Sequence, residues 1–174
     1  MEIRALRPRD DRASFRSGDE SLDRFFHRYA GQNQFRHHLG VTYVAVDDVR
    51  ILGFATVAPR HLEIEALPER TRQKLPRYPL PVLGLARLAV DESARSTGVG
   101  AQLLRFVGKL AAKMTDELGC AGIVVDAKPH AVTFYAKYGF VTFDALEGES
   151  DARPQPTMMW LPIGAILTAN EPSM

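Results

Sequence analysis

The stretch "PVLGLARLAVDESARSTGVGAQLL", residues 81–104, constrains this chain more than any other. An apolar, strand-type run ends in a short loop with two glycines and passes straight into a helix. That helix is expected over about residues 98–118, because Leu103, Leu104, Val107, Leu110, Ala111 and Met114 keep a three-to-four residue period. A second apolar run, "AGIVVDA" at 121–127, reads as a buried strand. Strand, helix and strand in that order imply a right-handed crossover with parallel pairing between the two strands.

The flanking segments add antiparallel pairing. "VTYVAV" and "ILGFATVA", joined by "DDVR", read as a hairpin, and "EIRAL" as a short first strand. "SGDESLDRFFHRYAGQNQFRHH" reads as a helix. Ser17 or Asp19 caps it, acids fill its first turn, and Leu22, Phe25, Phe26 and Tyr29 fall at near-helical spacing. "PERTRQKL" is a short polar helix after Pro68, and "PRYPLP" is a rigid extended linker. "PHAVTFYAKY" is a helix begun by Pro129 and stopped at Gly139. "FVTFD" and "TMMWLPI" complete the strands, with the polar loop "EGESDARPQP" between them. The resulting fold class is α/β (α+β): a three-layer domain whose mixed sheet of about six to seven strands is flanked by helices. The 174 residues suit one compact domain, expected over 1–165, followed by a polar C-terminal tail at 166–174.

Composition matters here by exclusion. A net charge of +1 gives no global field for nucleic acid or membrane, so any basic surface must be local. No apolar stretch approaches the ~20 residues of a membrane helix. "MEIRALRPRDDR" lacks the apolar centre of a signal peptide, so a cytoplasmic protein with no membrane partner is expected. The single cysteine, Cys120, excludes an intrachain disulfide and a cysteine-based zinc cluster, and its setting in "GCAGIVV" suits a small core residue. His37 and His38 read as a surface pair, and no metal is expected.

Gly98 and Gly100 stand where the backbone can approach a ligand and where the first helical N–H groups point outward. That arrangement binds anions through backbone donors and the helix dipole. Arg95 adds a charge, and Ser96 and Thr97 add hydroxyls. Glycine turns also precede helices for steric reasons alone, so the pattern by itself leaves both readings open. Two nucleotide loops are excluded. A Walker loop needs GxxxxGK followed by Ser or Thr, and no Lys-Ser/Thr pair follows here. A Rossmann GxGxxG belongs to the first βαβ unit, whereas "RSTGVG" follows the fourth expected strand.

In this setting "ARSTGVGAQLL" is similar to the pyrophosphate-binding signature of the GNAT acyltransferases, Arg/Gln-x-x-Gly-x-Gly/Ala, with Arg95, Gly98 and Gly100 on its fixed positions. "LARLAVD" resembles the GNAT strand that carries the pantetheine arm of acetyl-CoA. "AVTFYAKYGF" resembles the family's A-x-x-F-Y-x-x-x-G-F helix and strand. The three motifs run in order across residues 82–143. "SGDESLDRFF", "QNQFRHH", "LPRYPLPV" and "VVDAKPHAVTFYAKYGF" resemble one branch, the acetyltransferase toxins of bacterial toxin–antitoxin pairs. Those toxins acetylate the amino group of aminoacyl-tRNA and are held by ribbon-helix-helix antitoxins. Many carry an Asn a few residues before the Phe-Tyr pair, and "DAKPHA" has none. The resemblance implies an acetyl-CoA-dependent N-acetyltransferase acting on a primary amine. Aminoacyl-tRNA as acceptor, a ribbon-helix-helix antitoxin and a homodimer are the implied partners. A small amine or protein N-terminus as acceptor, and a non-catalytic CoA sensor, are the alternatives.

Roles follow from the same resemblance. Backbone N–H groups of Ser96, Thr97, Gly98, Val99, Gly100 and Ala101, with Arg95, are expected on the pyrophosphate. Leu88 and Val90, on a strand splayed by a bulge, are expected to pair with the pantetheine amides, and a free N–H there to stabilise the developing oxyanion. Tyr135 is the expected general acid, since a phenol of pKa about 10 keeps its proton at neutral pH. The residues alone favour Phe134 and Tyr135 packing on the sheet, and Tyr138 is the second candidate acid. For the base, Glu63 and Glu65 (expected to alternate out of a strand onto one face), Asp126, and no dedicated base all stay open. Two basic runs could meet tRNA phosphates: Arg28, Arg36, His37 and His38, then Arg70, Arg72, Lys74 and Arg77, though Asp19, Asp23 and Glu69 interleave with them. Arg87, a charge on an apolar strand, must pair with a carboxylate or contact the acceptor.

Overall fold

The computed structural model describes residues 1–63, 65, 69–75, 79–142 and 156–170. Seven strands form one mixed sheet: β1 (Glu2–Ala5), β2 (Val41–Asp47), β3 (Arg50–Leu62), β4 (Leu80–Val90), β5 (Gly122–Ala127), β6 (Val141–Thr142) and β7 (Thr157–Pro162). Their order is β1-β2-β3-β4-β5-β7-β6. The helices are α1 (Glu20–Arg24), α2 (Ala30–Phe35), α3 (Glu69–Arg72), α4 (Val99–Glu117), α5 (Val132–Lys137) and α6 (Ile163–Asn170). The α/β class and the strand number agree with the sequence expectation.

The chain divides into two compact units, Met1–Ala58 with Leu85–Gly108, and Pro59–Gly84 with Lys109–Met174. In the first unit β1, β2 and β3 are antiparallel neighbours, with a register shift between Ala45 and Val46. The hairpin turns through Asp48 and Val49, and Asp48 takes the left-handed φ of 56° that such tight turns require. Asp19, not Ser17, caps α1: its carboxylate accepts the Ser21 and Leu22 N–H groups, while Ser17 donates through both N–H and Oγ to Asp23. The expected single long helix is interrupted by a π-helical turn, Phe25–Tyr29, between α1 and α2. That wide turn coincides with two adjacent phenylalanines, both buried. They join Leu6, Phe15, Val44, Phe54 and Ala89 in the unit's core, where Phe26 stacks on Phe54 at 4.3 Å between centroids and Phe15 meets Phe26 edge-on.

In the second unit β7 lies between β5 and β6, antiparallel to both, with Gly122 opposite Pro162 and Val141 opposite Trp160. Leu62, Leu80, Val82, Val124 and Trp160 form its core. Gly122 has to be glycine, because a Cβ there would lie 2.3 Å from the Leu161 carbonyl oxygen and 2.7 Å from the Trp160 ring. Cys120 is buried, as its setting suggested, and its thiol donates to the Gly122 carbonyl at 3.3 Å.

Some boundaries differ from expectation. The segment "IGAILTAN", at the end of the last strand and the start of the expected tail, is helical through Asn170. It is apolar around its circumference, so it lacks the one-sided period that marks a surface helix. Residues 171–174, the strand residues Phe143 and Asp144, the polar loop at 147–155 and part of the "PRYPLP" linker lie outside the described residues. No helix among the described residues is long and apolar enough to cross a membrane.

Candidate active site

In the first unit β4 delivers the chain into the glycine loop. Leu88 and Val90 are half-buried on either side of the buried Ala89, near the end of an unbroken eleven-residue strand. At Asp91 the chain leaves the sheet, and this carboxylate organises the turn beyond it. Asp91 is only 6% exposed. Its Oδ2 accepts the Arg16 N–H at 2.9 Å, and its Oδ1 accepts from the Ser93 N–H at 3.0 Å and the Ser93 hydroxyl at 2.7 Å. Arg50 approaches the same oxygen at 3.5 Å. Burial alone would push this carboxyl up. The hydrogen bonds from Arg16 and Ser93, with the Arg50 charge, outweigh burial and hold it below the ordinary carboxylate value.

Beyond the 3-10 turn Glu92–Ala94, Ser96 and Gly98 both take left-handed backbone, with φ of 62° and 87°. Nothing lies within 4 Å of where a Gly98 Cβ would be. Gly98 therefore serves the turn's conformation, and the space above it is open. The Gly98 carbonyl accepts the Gln102 N–H at 3.0 Å and so begins α4. The Thr97 N–H and hydroxyl both donate to the Ala94 carbonyl. That leaves the amides of Ser96, Gly98, Val99, Gly100 and Ala101 with no acceptor among the described residues. Five unpaired donors over one turn, at the positive end of a nineteen-residue helix, suit a diphosphate.

Arg95 is placed differently from the other expected phosphate ligands. Its guanidinium donates to the Ser17 carbonyl at 2.6 Å and lies 3.8 Å from the Glu92 carboxylate. With the Glu92 N–H on the Arg16 carbonyl at 2.8 Å and the Arg16 N–H on Asp91, it ties the glycine loop to the segment entering α1. Asp91 is absent from the residues expected at the site. An Asp at a strand end two residues before a Ser is the pattern of a side chain that caps its own turn, and that signal was available.

In the second unit a 3-10 turn, Pro129–Ala131, leads into α5 and its aromatic pair. Tyr135 is 5% exposed, with Phe134 edge-on at 5.1 Å and Phe140 at 5.4 Å. It makes no side-chain hydrogen bond within the described residues, and no sealed side-chain oxygen or nitrogen there lacks a partner, so its hydroxyl reaches the surface. Burial pushes the phenol well above its usual value. Tyr138 is half-buried at the C-cap of α5, against Phe134 at 5.2 Å. β3 ends at Leu62, so Glu63 and Glu65 do not alternate out of a strand as expected, and both are exposed. Asp126 is exposed on β5 and pairs with Arg60 at 3.3 Å.

The basic runs fall one in each unit. Arg28, Arg36, His37 and His38 are exposed in the first, and Arg70, Arg72 and Lys74 in the second; Arg77 lies outside the described residues. Arg16, Arg24, His27 and Arg28, with Glu20 and Asp23, line an open groove of about 390 Å³ along α1 and the π turn. Arg87 meets an aromatic ring instead of a carboxylate: its guanidinium carbon lies 3.8 Å from the centre of the Phe25 ring. Among the described residues no group of three or more His, Cys, Asp or Glu is placed to hold a metal ion.

The family described as "Acetyltransferase (GNAT) domain" matches residues 38–142, which span β2, β3, β4, the glycine loop, α4, β5, α5 and β6. The chain belongs to the GNAT acetyltransferase family. It is thus an N-acetyltransferase whose acetyl donor is acetyl-CoA. This GNAT chain is 34% identical over 140 residues to the tRNA-acetylating toxin of Mycobacterium tuberculosis (strain ATCC 25618 / H37Rv), covering 79% of this chain and 82% of that protein. A solved structure of AtaTR bound with AcCoA superposes with a TM-score of 0.78 at 27% identity, over 97% of this chain and 96% of that one. AtaT complexed with acetyl-methionyl-tRNAfMet shares the fold, with a TM-score of 0.81 at 23% identity over 97% of this chain and 98% of that one.

Proposed function

We propose that this acetyltransferase moves the acetyl group of acetyl-CoA to the amino group of an aminoacyl-tRNA. The observation that carries the reading is the 34% identity, over 79% of the chain, to a protein named for acetylating tRNA. The loop chemistry fits the donor. Amides of Ser96, Gly98, Val99, Gly100 and Ala101 hold the pyrophosphate, with the Thr97 amide turned inward and Arg95 bracing the loop from the side. The backbone of Leu88 and Val90 lines up the pantetheine arm and offers an N–H to the oxygen on which charge develops. Acetyl-CoA, when bound, supplies the activated thioester; the chain supplies position and proton control.

Tyr135 is the general acid in this reading. Its burial disfavours the phenolate, so the proton is present across the whole neutral range, to be handed to the departing sulfur and replaced from solvent. Asp126 is held by Arg60 and the two glutamates are exposed, which supports chemistry without a dedicated base on this chain. Residues 1–165 act as one catalytic domain in the cytoplasm. A ribbon-helix-helix antitoxin and a second copy of the chain are the proposed protein partners.

Thiol release from acetyl-CoA tests the acceptor, with charged tRNA set against a panel of small amines and peptide N-termini. The highest kcat/KM is expected with charged tRNA. Preference for a small amine would reassign the acceptor. Donor binding with no turnover on any acceptor would make the protein a sensor.

A further inference from the structure

We propose that Arg87 binds a phosphodiester of the RNA acceptor, holding it beside the acyl-transfer end of β4; this rests on the aminoacyl-tRNA reading above. Three arginines among the described residues are half-buried: Arg4, Arg12 and Arg87. Arg4 makes a two-pronged pair with Asp10, at 2.8 Å on each prong. Arg12 donates to the Phe26 carbonyl at 3.4 Å. Arg87 alone has no oxygen acceptor among the described residues. One face of its guanidinium is covered by Phe25, and its N–H groups lie in the plane of the fork, left over by that stack. Burial without compensation lowers the pKa of the group. A desolvated, aromatic-backed fork is pre-organised for a planar, two-oxygen partner such as phosphate.

Position separates acceptor phosphate from donor phosphate. Arg87 lies three residues before the end of β4 at Val90, about 10 Å at strand rise, and the amides suited to the pyrophosphate come later still. Arg87 also shares the face of Ala89, which is buried with Phe25, so the fork lies on the side of the sheet that α1 and the π turn cover. The same helical segment carries Arg24 and Arg28, which line the groove with Arg16 and His27. Of the two acids in that groove, Asp23 is occupied by the Ser17 N–H and hydroxyl.

The test uses the full chain, total tRNA charged with amino acids, and amino-acid ethyl esters, which lack a phosphodiester. Arg87→Gln should raise KM for charged tRNA about 10- to 100-fold with kcat nearly unchanged. The slope of log KM against log salt should flatten by about 0.7, the share of one contact to a single strand. Acetyl-CoA Kd and ester turnover should stay at the wild-type level. Arg87→Lys keeps the charge beside Phe25 without the fork, and a smaller KM rise of the same selectivity is expected even if Arg87→Gln melts early. An unchanged KM and salt slope in both variants would overturn the assignment. Lost acetyl-CoA affinity would overturn it in favour of the donor's phosphates, and an equal loss with the esters would overturn it in favour of a role in chemistry. If the wild-type protein leaves charged tRNA unmodified, the acceptor reading itself fails, and this proposal falls with it.

Discussion

Tyr135 and Asp91 are both buried and both titratable, and their surroundings drive them in opposite directions. Tyr135 packs against the Phe134 and Phe140 rings, and burial raises the phenol and fixes it in the acid form. Tyr135→Phe is expected to lower turnover about 10²- to 10⁴-fold while acetyl-CoA affinity, read by calorimetry, stays constant. Because the group is raised, the alkaline side of the wild-type kcat profile should show no fall from Tyr135 at any pH up to about 10. A variant at wild-type rate would return this tyrosine to a packing role. Around Asp91 there are donors, and Asp10 is likewise held down, chiefly by its hydrogen bonds from Arg4. Lowered carboxylates stabilise the fold above their unfolded pKa of about 4, and that contribution is lost as pH falls through the folded values. Chemical denaturation at pH 7 and pH 3 should therefore show a stability loss that Asp10→Asn reduces.

The loop from Asp91 to Gly98 and the segment from Phe15 to Asp19 behave as one element, since two hydrogen bonds and a third from the Arg95 guanidinium cross between them. Removing the hub leaves the half-buried N–H groups of Arg16 and Ser93 unpaired. Asp91→Ala is expected to destabilise the protein by about 2–3 kcal/mol. It should raise the acetyl-CoA KM, and hydrogen exchange should quicken in both segments, 91–98 and 15–19, together. Faster exchange in the loop alone would mean that the two segments are independent. Gly98→Ala tests the turn itself. The space around it is empty, so the expected loss of about 1 kcal/mol comes from the left-handed φ of 87°, without a clash.

At the scale of the molecule, β3, β4 and α4 each run from one compact unit into the other. Neither unit can unfold without breaking elements that the other needs. A single cooperative transition is expected, with the lone tryptophan, Trp160 in the second unit, reporting the same midpoint as far-UV circular dichroism. Saturating acetyl-CoA at a hundred times its Kd should raise stability by about 2.7 kcal/mol. Separate midpoints would divide the chain into two domains.

Local chemistry made much of this legible from residues alone. The period of "AQLLRFVGKLAAKM" marks α4, the apolar run "GIVVDA" marks β5, and Gly98 marks the left-handed turn ahead of α4, because each signal lies within a few residues. The largely apolar α6 carries no such period, and the π turn depends on where Phe25 and Phe26 pack. What tertiary structure alone decided are pairings across the chain. Arg16 meets Asp91 across 75 residues, Arg95 turns to Ser17 across 78, and Arg87 finds Phe25 instead of a carboxylate. Sequence spacing determines which groups can share a turn or a face. Which distant groups meet is set by how strands and helices close around the core of their unit, and a single strand carries no record of that.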